Sequence, residues 1–127
     1  MGAVMEVILF YTGSAVIFFW GVGHIIPTPG IIRGFGPLSE DNRHIITMEW
    51  LAKGMTLCFI GALVFASVVT TGPDSQTTLF VGRACAGMLL ALAALSAFTG
   101  ARTSILPIRL CPVIKSLVAV LFLVAAL

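Results

Sequence analysis

The chain reads as an all-α membrane protein: four transmembrane helices in an up-down bundle, with both termini on the same, outer side. Three observations predict this. Charged residues make up 9% of the sequence and hydrophobic ones 59%, whereas an ordinary soluble domain carries about 25% charged residues. So little charge does not cover a folded surface in water, and the mean hydropathy of +1.12 agrees that hydrocarbon is the solvent. Four apolar runs approach the roughly 20 residues a helix needs to cross a bilayer, and the basic residues gather on alternate loops. A β-barrel would need alternating polar and apolar positions, which are absent. A helix satisfies its own backbone polar groups in lipid.

The first helix is expected over residues 4–26. Glu6 near its start, the length of the apolar run and the lack of a small-residue cleavage pattern argue for a permanent span over a signal peptide. Pro27-Thr28-Pro29-Gly30 stops it. The following loop, residues 27–42, is not polar: Ile31, Ile32, Phe35 and Leu38 alternate with glycines and Arg33. It is expected to lie in the headgroup region, with Arg33 reaching phosphates. Ser39-Glu40-Asp41-Asn42 then reads as a helix start, with Ser39 or Asp41 as cap and acids in the first turn.

The second helix is expected over 43–70, the third over 78–100 and the fourth over 113–127. On the second, Gly54, Cys58 and Gly61 fall near one face and suit close helix contact. The third carries Gly82, Ala86, Gly87, Ala91, Ala93, Ala94 and Ala97, a pattern that lets backbones approach and predicts a place at the centre of the packing. The fourth run is short. It starts before Pro112, crosses a thinned bilayer, or continues beyond Leu127. With no internal repeat or linker, the chain is expected to form one domain, 1–127.

Orientation follows from Arg33, Arg43 and Lys53 around the first loop, and Arg102, Arg109 and Lys115 around the third. The turn from Thr70 to Thr77 has no basic residue. The positive-inside rule then puts loops one and three in the cytoplasm, although Arg83 pulls the other way. A bacterial inner membrane is the expected location.

Candidate chemistry concentrates between Gly21 and Lys53, which holds both histidines, three of the five acids and three of the seven basic residues. His24, Arg33, His44, Glu49, Trp50 and Lys53 form the candidate ligand site. Glu49 and Lys53 stand at i, i+4 in the favourable acid-first order. A histidine exchanges a proton near neutral pH, so the cluster suits an acid–base site, a proton relay or a polar ligand pocket. The alternative is structural: an intrahelical pair with two capping histidines. Glu6 and Arg83 share a depth near the outer ends of helices one and three, and form a candidate ion pair. Phe18, Phe19, Trp20 and Trp50 suit an interfacial aromatic belt. Cys58, Cys85 and Cys111 have no CxxC spacing and read as small packing residues.

No metal site, cofactor or catalytic triad is expected, since no HExxH, CxxC or nucleotide-binding motif is present. Without a basic run, nucleic acid is excluded as a partner. The expected partners are the lipid bilayer and a homo-oligomer or larger membrane assembly. Asp41-Asn42-Arg43-His44 and Met48-Glu49-Trp50 do not reproduce the helix signature of glutathione-handling membrane enzymes. Glu6 lies too near a helix end to stand for the mid-membrane acid of small multidrug transporters. The sequence therefore points first to an accessory or assembly subunit, or a binder of a lipid-like or small apolar ligand. The alternatives are a membrane enzyme using the His/Glu/Lys cluster on an amphiphile, and a proton-coupled transporter or channel subunit using Glu49.

Overall fold

A computed structural model describes residues 2–127. It contains α1 (Ala3–Ile25), α2 (Thr28–Arg33), α3 (Glu40–Thr71), α4 (Gln76–Phe98), a 3-10 turn (Gly100–Arg102) and α5 (Leu106–Ala125). Four of these, α1, α3, α4 and α5, are long and apolar enough to cross a membrane. They alternate in direction, so both termini lie at one end. The all-α four-helix bundle expected from composition is the architecture found.

Each boundary has a local cause. α1 stops two residues before Pro27, and Pro29 occupies the second position of α2, where a missing N–H costs nothing. The first loop is thus partly helical, and it tucks Ile32 inward. Ser39 caps α3 by accepting from the Asn42 N–H at 3.1 Å, with Glu40 and Asp41 in the first turn. At 32 residues, α3 is roughly 48 Å long at 1.5 Å per residue, more than the hydrocarbon thickness of about 30 Å. Its first turns therefore project into the headgroup region.

Gly72, at φ +88°, turns the chain between α3 and α4. Ser75 caps α4 through the Thr78 N–H at 3.0 Å. α5 begins at Leu106 with Pro107 in its first turn, and carries Pro112 inside it. Of the three readings of the short fourth run, an early start is the one found. It draws Cys111 out of the expected basic loop and into a buried helix position.

α1 packs along α3 and also against α5; α4 packs on α5 and only lightly on α3. The shared core holds Phe10, Ile17, Leu57, Val64, Leu89, Val118 and Phe122. The expectation that the third span lies at the centre is corrected. Only Gly82, Ala86 and Ala93 of its small residues are buried, while Gly87, Ala91, Ala94 and Ala97 face outward. Small residues on every side of α4 obscure which face is used. α1 and α3 approach closely at Gly21 and Gly54, as they do where a Cβ on Gly61 would lie 2.6 Å from the Ser14 carbonyl oxygen. A Cβ on Gly21 would lie 2.7 Å from the Gly54 carbonyl oxygen, and one on Gly54 would lie 2.6 Å from Ile25.

Candidate functional site

That approach positions His24. It sits in the last turn of α1 and is 6% exposed. Its Nδ1 lies 3.0 Å from the Trp20 carbonyl oxygen. A carbonyl only accepts, so Nδ1 carries the proton, and Nε2 is left to accept from the Cys111 thiol at 3.1 Å. Trp20 Nε1 donates to the same sulfur at 3.4 Å. Trp50 Nε1 donates to the His24 carbonyl, and its ring lies 5.2 Å from the imidazole, tilted by 30°. Thr28 Oγ1 closes the helix end by donating to the Ile25 carbonyl at 2.6 Å. His24 is thus the hub of a buried thiol–imidazole–indole cluster joining α1, α3 and α5.

Trp50 separates this cluster from a second one. A cavity of about 490 Å³ opens between α3, α4 and α5. Ile45, Ala52, Thr56 and Leu95 form an exposed, mainly apolar rim, and Glu49 stands at its edge. Ser96 and Lys115 form a buried floor. Lys115 is fully enclosed and donates to Ser96 Oγ at 2.7 Å. Lys53 reaches in from α3 and stands beside it. The arrangement offers two ammonium groups and a hydroxyl at the base of an apolar recess.

The residues expected to cluster are therefore divided. Trp50 lines both cavities, but His24 and Glu49 do not converge: His24 borders a separate recess of about 200 Å³ with Pro27, Pro107 and Ile108. His44 is exposed and pairs with Glu40 at 3.8 Å, the only ion pair among the described residues. The expected Glu49–Lys53 ion pair is not formed: Lys53 stands beside Lys115, and the exposed Glu49 carboxylate gains little from pairing. The expected Glu6–Arg83 pair is not formed either. Arg83 donates to the Ala126 carbonyl at 2.6 Å, and Glu6 neighbours Asp74 in the α3–α4 turn. The last carbonyls of a helix have no partner within it, and that of Ala126 accepts from the long Arg83 side chain. Arg33 and Arg43 border a shallow depression with Thr28 and Thr47 beside α2.

Two residues of the site, Cys111 and Lys115, escape a reading of the sequence that starts the last helix at Val113, and Ser96 on α4 carries no signal in the sequence. Counted from Leu106, Cys111 and Lys115 are one turn apart, and with Val118, Ala119 and Phe122 they trace one buried stripe. Pro107 at the first turn is the signal that places them.

A further groove of about 490 Å³ lies between α1 and α3, lined by Tyr11, Phe18, Phe19 and Phe65. It contains Ser14, whose hydroxyl is the one buried side-chain polar atom without a partner among the described residues. No charged group faces it, and a helical serine can turn its hydroxyl to the carbonyl one turn back.

Fold and site define a small polytopic membrane protein with a polar-floored recess between its helices. Comparison with protein families, with curated proteins and with solved structures returns no match.

Proposed function

We propose that this membrane protein binds an amphiphile drawn sideways from the surrounding lipid into the recess between α3, α4 and α5. The observation that carries this reading is the combination of an exposed apolar rim with an enclosed polar floor. Its volume of about 490 Å³ lies within the roughly 300–1,000 Å³ of small-molecule sites. Light packing between α3 and α4 leaves a lateral entrance. By the positive-inside rule this end of the bundle would face the cytoplasm, and a bacterial inner membrane is the location proposed for it. Such a binder would act within a homo-oligomer or larger assembly, for which the outward small residues Gly87, Ala91 and Ala94 of α4 offer a contact face.

Gentle extraction followed by native mass spectrometry tests the reading. The expected result is one amphiphile retained per chain, lost when Ala52→Trp fills the rim. A protein that carries no such mass, or carries it equally in the Ala52→Trp variant, would refute it.

The acid–base enzyme and proton-coupled transporter readings draw less support. The first needs His24 and Glu49 at one site, and they border different cavities. The second needs Glu49 reachable from both sides, and it stands exposed on a rim at one end.

A further inference from the structure

We infer that the head group accepted by this recess is an anion, a phosphate or carboxylate on an acyl chain, held by Lys53, Lys115 and Ser96. The inference rests on the recess being an amphiphile site and adds the chemical class of its ligand.

The argument begins with what lysines ordinarily do in membranes. A lysine within a span extends its stem and carries the ammonium to the headgroup region. Lys115 does not. It lies nine residues into α5 and is completely enclosed. Its Nζ points inward to Ser96, and no carboxylate lies within ion-pair distance among the described residues. Lys53 from the facing helix is brought to the same place, so two like charges converge where the dielectric is low. Uncompensated charge there is expensive.

The chain supplies only partial relief. The C-terminal carbonyl end of α4, which closes at Phe98 close to Ser96, carries partial negative charge. Glu49 contributes one carboxylate at the rim, without pairing to either lysine. Two ammonium groups against one unpaired carboxylate leave a surplus of positive charge at the floor. An anion entering between them would accept from both lysines, and Ser96 can turn its hydroxyl to donate as well. Above this point the walls are Leu92, Leu95, Ile46 and Ala52, a surface suited to an acyl chain.

The test uses the full chain in nanodiscs of phosphatidylcholine containing a minority of phosphatidylglycerol or, in a second arm, oleate. Lipids that remain with the gently released protein are measured by mass spectrometry. An anionic species is expected to be enriched over phosphatidylcholine by about tenfold or more, the scale of one charge-assisted hydrogen bond. Enrichment in the first arm assigns a phosphate head, and in the second a carboxylate. Lys115→Met and Lys53→Met are each expected to abolish the enrichment while some lipid is still retained. Lys53 is only half-buried, so its variant keeps the test sound if the Lys115 variant does not fold. Equal retention of zwitterionic and anionic lipid, or enrichment unaffected by Lys53→Met in folded protein, would overturn the anionic head group and leave the amphiphile reading standing. Retention of no lipid at all would overturn both.

Discussion

The two ends of the α3–α4 pair are built on opposite plans. At the end near the chain termini, Thr78 is fully buried and donates to the Ser67 carbonyl at 3.0 Å. Thr71 and Ser75 complete a ring of hydroxyls, with oxygen separations of 2.7 to 3.0 Å. Each hydroxyl of this ring finds its partner within the chain, and none of them carries charge. At the other end the helices part, and Lys115 donates to Ser96 with Lys53 beside it. The first arrangement is complete in itself; the second, on the reading proposed above, is completed by an anion from outside. A buried hydroxyl is satisfied by a neighbouring carbonyl, whereas a buried ammonium calls for an opposite charge.

The largest expected effect breaks the open end. Lys115→Met should abolish the enrichment of anionic amphiphile and, in ligand-free protein, raise stability, because the cost of burying an unpaired charge is removed. Thermal unfolding in detergent after delipidation measures this, and a destabilised ligand-free variant would show that Lys115 is structural. The closed end should respond with the opposite sign. Thr78→Val removes the hydroxyl that bridges α3 and α4, and should cost about 0.6–1.7 kcal/mol, the range for interhelical hydrogen bonds in membranes. Retention of the amphiphile should be unaltered by it.

A third variant sharpens the boundary between the open recess and the thiol–imidazole cluster behind Trp50. Cys111 is enclosed by His24 and Trp20, whereas Cys58 is only half-buried. A maleimide should therefore label Cys58 first. His24→Ala opens space beside Cys111 and should raise its labelling rate severalfold, with Cys58 as internal reference. An unchanged ratio would mean that His24 does not shield the sulfur. The smallest effect belongs to the exposed surface: His44→Ala loses an i, i+4 contact with Glu40 and should change stability by no more than about 0.5 kcal/mol.

Much of the scaffold was legible in the residues. The spacing of Pro27 and Pro29, the Ser39 cap and the Gly72-Pro73 turn are local signals, and each marks a boundary seen in the fold. Gly54, Cys58 and Gly61 indicated the face of α3 that meets α1. The site was less legible. Counting the last helix from Val113 hid the register that turns Cys111 and Lys115 inward. Glu49 and Lys53 satisfy the helical spacing rule, yet Lys53 stands beside Lys115 of another helix and forms no ion pair with Glu49. Glu6 and Arg83 share a depth but have nearer partners in Asp74 and the Ala126 carbonyl. Spacing along one helix says nothing about which groups a neighbouring helix brings closer.

By itself the sequence determined the medium, the number of spans, their caps and the end of the bundle where charge collects. Those properties follow from composition and from the need of every backbone amide to be satisfied within its own segment in hydrocarbon. Tertiary structure alone decided that α1 packs closely on two neighbours while α4 packs closely on α5 and lightly on α3, that His24 meets Cys111, and that Lys53 meets Lys115 beside Ser96. Lipid tails are as apolar as the helix faces, so burial of apolar surface does not choose among lateral arrangements. The fit of Gly21 against Gly54, and of a few polar groups across the seams, makes that choice.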